Sequence, residues 1–486
     1  MLVAIIAWDM KNEQKVDNIK AQKAIVSLVT PVGEGGIGKI IVSGLDALSV
    51  VNKAFQGKGI ADLREAASYK LYYGYIQDRG RKIDEVIVNI IKREDSFTGE
   101  DVAEVNCHGG IRVLMRIHEC LQSAGAADAP WNALLARSLA NDRLDFVQRE
   151  AIQELIEIQT KLGAKVLLDQ YTGALSGALN RGLEIIEEIR AGVSGDISPH
   201  PSSVSSPVGV SGSGGGSYDL LQKSDAFVSI LTNLIRELLE TASFGMALTT
   251  PQVLVILGKP NVGKSTSINA ILGEERMLVH HEPGTTRDYV SEVISVEGIP
   301  FELVDTAGIR ATTDKLEAMS IEMTQEQLQR ADKVIVVFDN SRPFDKEDDE
   351  ILRTLHAWLM SKTSGDLPLK THTHAIIPVV NKCDLPVILD KRRIESALQR
   401  PICALSALNK EGFDDLNKRL IEEFDTVYKP MRPVVFNKRQ YQLLAKADSF
   451  IEKNKECLIT RHRTNEAPHV INTVKKIFTA CLEGQE

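Results

Sequence analysis

One stretch of the chain has the residue types and the spacing of a phosphate-binding loop. The pattern Gly258-x-x-x-x-Gly263-Lys264-Ser265 stands in QVLVILGKPNVGKST, directly after an apolar run and directly before a helical pattern. Glycines let backbone N–H groups surround phosphate oxygens, and the start of the helix adds partial positive charge. Lys264 would reach the outer phosphates, and the Ser265 hydroxyl would ligate Mg²⁺. The spacing predicts a nucleoside triphosphate site, with a chance glycine-rich turn as the alternative.

Further elements follow in the order that a GTP-binding domain requires. GTTRD offers Thr286 as a second hydroxyl for Mg²⁺. DTAG ends a strand and offers Asp305 to Mg²⁺ through water and the Gly308 amide to the γ-phosphate. NKCD ends another strand, and the Asp384 carboxylate can accept two hydrogen bonds from the guanine edge, which adenine cannot donate. SAL completes the base pocket, so the ordered set predicts GTP rather than ATP.

These elements together define the predicted nucleotide pocket. Lys264 and Gly308 are expected to act on the reacting phosphate, while Ser265, Thr286 and Asp305 are expected to hold Mg²⁺. The full set of predicted pocket residues is Asn261, Val262, Gly263, Lys264, Ser265, Thr266, Thr285, Thr286, Asp305, Thr306, Ala307, Gly308, Asn381, Lys382, Asp384, Ser406, Ala407 and Leu408.

The motifs do not identify the group that orients the attacking water. In Ras-like proteins a Gln follows the DTAG element. Here that position is Ile309, which cannot hydrogen-bond to water. Three carboxylates lie just downstream, at Asp314, Glu317 and Glu322, and each could equally be a solvated group at the start of a helix. The residues alone therefore leave three candidates, or a protein with negligible hydrolysis.

Alternating strands and helices are needed to position these motifs. From Gln252 to Tyr428, apolar runs alternate with helical patterns, which is typical of a doubly wound parallel sheet. Residues 21–118 carry short β-type runs, whereas 133–191, 224–241 and 438–482 have helical spacing. The expected fold is an α/β P-loop GTPase domain inserted into an α-helical domain, preceded by a small α+β domain.

Composition places the chain among ordinary globular proteins and shows one break. Its 486 residues suggest about three domains, with 43% hydrophobic and 25% charged residues. Residues 198–217 are almost entirely Ser, Gly and Pro, which predicts a flexible linker. The net charge of −9 argues against broad non-specific binding to nucleic acid, but it is compatible with a local basic patch.

The cysteines and the hydropathy of the sequence indicate the cellular compartment. Six cysteines lie far apart with no Cys-x-x-Cys pair, which argues against a zinc knuckle and against a disulfide scaffold. No run of the sequence reaches the 18 or more apolar residues of a membrane-spanning helix. A reducing cytoplasm without membrane attachment is expected.

Taken together, the motifs resemble those of the tRNA-modifying GTPase family MnmE, also called TrmE. The nucleotide-site matches are GKPNVGKST, PGTTRD, VDTAGIR, NKCD and SAL. Outside them, TPVGEGGIGKIIVSG (30–44), FTGEDVAEVNCHGG (97–110) and ANDRLDFVQREAIQELI (140–156) look like the family's folate-binding domain and the start of its helical domain. The likeness runs from about Ala24 to the tail, and the linker and the last fifty residues match poorly.

The resemblance implies a specific biochemistry. Members form a homodimer through the N-terminal domain and bind a tetrahydrofolate derivative there. With the FAD-dependent protein MnmG they modify C5 of the wobble uridine in certain tRNAs. Their G domains associate across K⁺, which takes the place of an arginine finger. By position, Asn261 would coordinate K⁺, with His280, Glu282 and Thr285 in the surrounding loop.

The resemblance to the family also implies roles for residues at other positions. Glu317, which lies twelve residues after Asp305, matches the family's water-orienting Glu and is favoured over the other two carboxylates. Glu104 and Arg143 match folate-contacting positions, and Cys481 is a shifted counterpart of a Cys implicated in the modification. The implied division is a folate-binding-like domain at 21–118, a first helical part at 119–245, a G domain at 250–430 and a second helical part at 431–486.

The chain departs from the family pattern in three places. Ile41 replaces an Arg that contacts folate, PWNAL (130–134) stands where the family has PGEFT, and the sequence ends IFTACLEGQE instead of in Cys-x-Gly-Lys. These departures weaken the expectation of folate binding and of the complete modification, and they leave the expectation of GTP hydrolysis unchanged. The tail also looks shorter than a full helical domain would need.

Other interpretations stay open. A paralogue that keeps GTP hydrolysis without the modification is one alternative. Another is a ribosome-assembly GTPase of the Era or Der type. Der would need a second P-loop, and the sequence contains only one. Era would need a C-terminal RNA-binding KH domain with a Gly-x-x-Gly loop, and the tail contains no such pattern. Cys107 beside His108 could be a nucleophile, although the family match favours a structural turn.

Overall fold

The computed structural model describes residues 23–31, 33, 35–194, 216–272, 292–304, 328–361, 375–424, 428–459 and 467–484. They form two compact units, the N-terminal unit up to Arg149 and the C-terminal unit from Glu150. Most of the predicted linker lies outside the described residues. So do the following residues singled out above: His280, Glu282, Thr285, Thr286, Asp305, Thr306, Ala307, Gly308, Ile309, Asp314, Glu317 and Glu322.

A seven-stranded sheet of order β3-β4-β5-β6-β2-β1-β7 forms the centre of the N-terminal unit. Neighbouring strands are antiparallel, apart from the parallel pair β1 and β7. The strands are β1 (Ile25–Leu28), β2 (Ile37–Ser43), β3 (Phe55–Gly57), β4 (Lys70–Asp78), β5 (Arg81–Ile91), β6 (Val102–His108) and β7 (Ala127–Asp128).

Helices cover one face of this sheet and only part of the other. In β5, Val86, Val88 and Ile90 pack into the core beneath α1 (Ala47–Ala54) and α2 (Ile111–Ala124). The opposite face, which we call the open face, carries the alternate residues of β2, β4, β5 and β6. Helix α3 (Asn132–Ala140) packs on part of it, in a small cluster that includes Ile41. Large apolar side chains remain exposed there: Ile37, Leu71, Tyr73 and Ile87.

A six-stranded sheet of order β13-β12-β11-β8-β10-β9 organises the C-terminal unit. All its pairs are parallel, as predicted, except the β9–β10 hairpin, whose turn residues Glu297 and Gly298 both have positive φ. β11 is buried along its whole length, as expected for a parallel strand covered on both faces. The strands are β8 (Gln252–Leu257), β9 (Glu292–Val296), β10 (Ile299–Leu303), β11 (Lys333–Asp339), β12 (Ile376–Asn381) and β13 (Cys403–Ala404).

The remaining helices fall into two groups. Helices associated with the parallel sheet are α9 (Lys264–Leu272), α10 (Lys346–Ser361), α11 (Lys391–Leu398) and α12 (Phe413–Ile421). Helices outside the sheet region, some before it and some after it in the chain, are α4 (Phe146–Glu157), α5 (Lys161–Tyr171), α6 (Ala174–Ser194), α7 (Gly216–Glu240), α8 (Ala242–Thr249), α13 (Lys438–Lys453), α14 (Lys455–Ile459) and α15 (Ala467–Glu483). Within the described ranges, none of the helices has the length and apolarity to cross a membrane.

Helices from both sides of the sheet region pack against each other. Arg439 of α13 donates to both carboxylate oxygens of Glu150 in α4, each at 2.8 Å. The Phe478 ring of α15 lies so close to Gly182 of α6 that a Cβ on this glycine would be 2.2 Å from a ring carbon. The predicted helical segments before and after the α/β region are therefore in direct contact.

Candidate nucleotide-binding site

The predicted phosphate-binding loop connects the carboxyl end of β8 to the start of α9. Gly258 and Gly263 in this loop have φ of 148° and 97°. A Cβ on Gly258 would lie 2.5 Å from the Val337 carbonyl oxygen, and one on Gly263 would lie 2.2 Å from the Asn381 side-chain nitrogen. Both positions need glycine for conformation and for space, which explains the spacing seen in the sequence.

Lys264 is the first residue of α9, and its side chain folds back over the loop. Its ammonium group donates to the carbonyl oxygens of Gly258, at 2.7 Å, and of Lys259, at 2.9 Å. Burial lowers the pKa of Lys264. The first turn of α9 contains no acidic residue, so the positive end of its dipole is not neutralised there. Ser265, the predicted Mg²⁺ ligand, is half-buried in the same turn. This arrangement suits phosphate oxygens.

The structure brings the base-recognition segments against this loop. Asn381, at the end of β12, donates through Nδ2 to the carbonyl oxygen of Val262 at 2.9 Å. Its Oδ1 accepts a hydrogen bond from the Ala407 backbone N–H, also at 2.9 Å. Lys382 donates to the carbonyl oxygen of Asn261 at 2.7 Å. One buried amide therefore joins three segments that the sequence analysis placed in one pocket.

Asp384 is exposed at the edge of this pocket. The Ser406 hydroxyl donates to its Oδ1 at 2.5 Å. Its Oδ2 has no hydrogen-bond partner within the ranges that the structure describes. The backbone of Ser406 pairs with that of Glu411, which holds the loop in place, and Leu408 is 77% exposed beside it. The carboxylate is therefore accessible to a purine edge, with apolar surface nearby.

Asp339 belongs to this network and was missed by the sequence analysis. It ends β11, and its Oδ2 accepts a hydrogen bond from the Lys382 ammonium group at 2.6 Å. Its Oδ1 accepts from the Ser341 backbone N–H and hydroxyl. Burial alone would raise the pKa of Asp339, but these hydrogen bonds from Lys382 and Ser341 outweigh it and lower the pKa overall. Its place at the end of an apolar run, VIVVFD, was the available signal.

Two acidic residues at the start of α10 hold the phosphate-binding loop, and the sequence analysis missed them as well. Lys259, within the phosphate-binding loop, donates to Asp345 at 2.7 Å and to Asp348 at 2.9 Å. Asp348 is buried. These two ion pairs neutralise Lys259, so Lys264 is the loop lysine left for a phosphate.

Glu104 lies on the open face of the N-terminal sheet. It accepts a hydrogen bond from the Asn89 side-chain amide at 3.1 Å and forms an ion pair with Lys39 at 3.4 Å. Ile41, which stands where the family has an Arg, is directly opposite Glu104 in the β2–β6 pairing. An Arg at this position would have been an immediate neighbour of the Glu104 carboxylate, and Ile41 offers no such charge.

Arg143, the second predicted folate residue, is engaged elsewhere. Its guanidinium group donates to the carbonyl oxygens of Arg93, at 2.8 Å, and Glu94, at 3.0 Å. Glu104 makes no hydrogen bond or ion pair to Arg143 in the described structure. Glu104 and Arg143 therefore have different partners, and no described hydrogen bond or ion pair connects them.

A buried ion pair in the N-terminal unit was also missed by the sequence analysis. Arg137 of α3 donates to a Glu100 carboxylate oxygen at 2.6 Å, and both side chains are more than 90% buried. Ser43 donates to the same oxygen at 2.9 Å, and Arg137 also donates to the carbonyl oxygens of Ser43 and Lys23. This network ties α3 to the sheet.

Two cysteines considered for chemistry are both buried. Burial raises the pKa of Cys481 in α15 to about 12, and of Cys107 in β6 to about 11. The thiolate is the reactive form of cysteine, so neither environment favours a nucleophile. For Cys107 this agrees with the structural interpretation. A chemical role for Cys481 stays a prediction, and it would require the thiol to become exposed.

Comparisons with known proteins match both units. The family model described as "GTP-binding protein TrmE N-terminus" matches residues 24–143. The model described as "50S ribosome-binding GTPase" matches residues 253–382. The second range contains the phosphate-binding loop and ends within the NKCD element. Among solved structures, the G domain of the T. maritima FeoB iron transporter matches over 36% of this chain and 99% of its own length, at 22% identity and a TM-score of 0.25.

Curated relatives match along most of the chain. The tRNA modification GTPase MnmE of Geobacillus kaustophilus is 33% identical over 440 residues, which cover 88% of each chain. The protein of the same name from Lactococcus lactis subsp. lactis is 34% identical over 401 residues, covering 82% of this chain and 80% of the relative. With both family models in the expected order, the chain belongs to the MnmE family of tRNA modification GTPases and carries the family's GTP-hydrolysing domain.

Proposed function

We propose that this protein hydrolyses GTP as part of a tRNA modification that it carries out with an FAD-dependent partner of the MnmG type, at C5 of the wobble uridine. One observation supports the nucleotide assignment above all: the Asn381 side chain links the phosphate-binding loop to the SAL loop, with the Asp384 carboxylate open beside them. The tRNA assignment rests on the relatives, which are named tRNA modification GTPases.

The phosphates of GTP would be held by this chain's backbone and by Lys264. On binding, the ammonium group would exchange two loop carbonyls for phosphate oxygens, which are stronger acceptors because they are charged. Mg²⁺, when bound, offsets charge on the β- and γ-phosphates, and Ser265, Thr286 and Asp305 would hold it. The Gly308 amide would contact the γ-phosphate. Asp384 would select guanine.

Hydrolysis would use Glu317 to orient the attacking water, since Ile309 cannot do so. A second cation is proposed where other GTPases place an arginine finger. K⁺ would be held by Asn261, with His280, Glu282 and Thr285 in the surrounding loop. Among the described residues, the exposed side chain of Asn261 forms no hydrogen bond, so it is available as a ligand.

The dimer would form through the open face of the N-terminal sheet. A monomer leaves Ile37 70% and Leu71 64% exposed on this face, and pairing two copies would remove that apolar surface from water. A tetrahydrofolate derivative is proposed at the same unit, with Glu104 and Arg143 as candidate contacts. Ile41 removes one expected cationic contact, so weak folate binding is part of the proposal.

The domain division proposed from the sequence is supported by helix packing. Contacts such as Arg439 with Glu150 join segments from both sides of the α/β region. They support the proposed insertion of a G domain (250–430) between two helical parts, which we placed at 119–245 and 431–486 after a folate-binding-like domain (21–118). In the structure, residues 119–149 belong to the N-terminal unit, so the first helical part would begin near Glu150. We propose a cytoplasmic location for the whole protein.

An MnmE paralogue that keeps GTP hydrolysis without the modification is the alternative. It is favoured by Ile41 and by the burial of Cys481, the candidate modification thiol. A role in ribosome assembly is supported only by the description of one matching family model, "50S ribosome-binding GTPase". The match of residues 24–143 to the TrmE N-terminus model argues against this role.

The GTPase rate in K⁺ against Na⁺ tests the proposed hydrolysis mechanism. Rates would be measured at matched ionic strength over a range of protein concentrations. We expect K⁺ and Rb⁺, but not Na⁺, to stimulate by about 10³-fold, because a trans cation of this kind is worth that much in related phosphoryl transfers. Stimulation should fall on dilution as the G domains separate. A rate indifferent to the cation and to dilution would remove the K⁺ and dimerisation mechanism.

A further inference from the structure

A strongly basic cleft lies in the N-terminal unit, beside the start of α2. It has a volume of about 760 Å³ and opens between the tip of the β4–β5 hairpin and the first turns of α2. Five cationic side chains and one carboxylate line it, which is unusual in a chain with a net charge of −9. The charged lining residues are Asp78, Arg79, Arg81, Lys82, Arg112 and Arg116.

Two of the five cations have partners that keep them in place. Arg116 donates to Asp78 at 2.7 Å, across the cleft wall, and to Glu119 at 3.2 Å. Lys82 lies over the Tyr75 ring, 3.6 Å from its centroid. This cation–π contact orients the ammonium group without neutralising its charge. Arg116 therefore acts as a structural anchor, and Lys82 keeps its full charge.

The other three cations have no acidic partner among the described residues. Arg79, Arg81 and Arg112 are exposed, and none of them forms an ion pair with a residue that the structure describes. A single unpaired cation on a protein surface is common. Three guanidinium groups gathered around one cleft are mutually repulsive, and an anion bound between them would relieve that repulsion.

The backbone supports this interpretation. Arg79 and Gly80 form the hairpin turn, and both have positive φ (49° and 80°). Turns of this type favour Asn or Gly at the first position, so an Arg there disagrees with local preference. On the other wall, α2 begins after Gly110 with no acidic residue in its first turn, so its partial positive charge adds to Arg112. Both walls thus favour an anion.

We propose that this cleft binds the phosphate backbone of tRNA, an inference that rests on the proposed function. The planar fork of each Arg donates two hydrogen bonds to one phosphate, and three forks on two walls suit several consecutive phosphates better than a single one. The open shape suits a polymer passing through it. A membrane of anionic lipids is the competing source of phosphate groups, and the test includes it.

The test compares two triple variants of the full-length protein. Arg79→Ala/Arg81→Ala/Arg112→Ala removes the three unpaired cleft cations. A matched control, Arg353→Ala/Arg392→Ala/Lys446→Ala, removes three exposed cations from the C-terminal unit that also form no ion pair within the described ranges. Binding of a fluorescent tRNA transcript is followed by anisotropy from about 50 to 200 mM KCl, the range over which such contacts weaken strongly.

We expect the cleft variant to bind tRNA at least about tenfold more weakly and to lower the slope of log K against log salt by about two, since each phosphate contact contributes roughly 0.7–0.9. The control should match the wild type. Both variants should keep the wild-type GTPase rate measured without tRNA, which shows that they fold. A cleft variant with the affinity and slope of the control would overturn the inference. So would unchanged tRNA binding combined with lost binding to phosphatidylserine vesicles.

A complementation arm separates this inference from the proposed function. In a strain lacking the gene, failure of the wild-type gene to restore the wobble-uridine modification would count against the proposed function, whatever the cleft does. Restoration by the wild type and, equally, by the cleft variant would count against the cleft alone. Restoration by the wild type and the control, but not by the cleft variant, is the expected result.

Discussion

Replacing Asn381 with Ala should lower both the stability of the G domain and its affinity for GTP. The Asn381 side chain is hydrogen-bonded both to Val262 of the phosphate-binding loop and to Ala407 of the SAL loop. It is buried, and Ala407 is only 5% exposed. Water therefore cannot readily replace the amide, and the loops would lose their common anchor.

The expected loss follows from the two hydrogen bonds. Each contributes about 1 kcal/mol net, and the Ala407 N–H left without a partner adds a desolvation cost of about 1–3 kcal/mol. We therefore expect Asn381→Ala to lower the free energy of unfolding by about 3–5 kcal/mol. Since both loops must be in place to bind the nucleotide, the dissociation constant for GTP should rise at least about tenfold, which corresponds to about 1.4 kcal/mol.

The assay pairs urea denaturation with titration of a fluorescent GTP analogue. Asn409→Ala is the matched control, because Asn409 lies in the same SAL loop, is exposed, and makes no side-chain hydrogen bond to a described residue. It should change neither quantity. Wild-type stability and affinity in Asn381→Ala would refute the role given to this amide, and equal losses in both variants would show that the loop is merely sensitive to substitution.

Three further predictions concern other parts of the chain. Asp384→Asn should exchange GTP for xanthosine triphosphate, shifting the preference by about 10⁴-fold in a competition assay, and retained GTP preference would contradict the base pocket. Glu317→Ala should lower kcat by about 10²-fold with nucleotide affinity little changed, whereas equal loss from Asp314→Ala alone would reassign the role. Arg137→Ala should cost about 3–5 kcal/mol in the urea unfolding of the N-terminal unit, because Glu100 would be left buried and unpaired; a cost under about 1 kcal/mol would contradict this.

Local motifs were the part of the site that could be predicted from the sequence. The phosphate-binding loop and NKCD follow strands at fixed offsets, and their glycines and polar residues are set by backbone geometry that repeats wherever the motif occurs. Parallel strands bring their carboxyl ends to one edge, so Gly258 and Asn381 had to lie near each other.

Contacts between distant residues could not be predicted in this way. The Arg137–Glu100 pair and the two acids that hold Lys259 depend on how helices pack on the sheets, which single-sequence patterns do not encode. The family resemblance suggested Cys481 as a reactive thiol, and its burial is a property of tertiary packing. The basic cleft is of the same kind, because the hairpin tip and α2 are about thirty residues apart in the sequence.

Analysis of tRNA nucleosides by mass spectrometry tests the central claim most directly. Transfer RNA would be compared between a strain lacking this gene, the same strain carrying the wild-type gene, and one carrying Asp384→Asn. We predict that the C5 modification of the wobble uridine is absent from the first strain, restored in the second and not restored in the third, where GTP is no longer preferred. A deletion strain with the wobble uridine fully modified would contradict it.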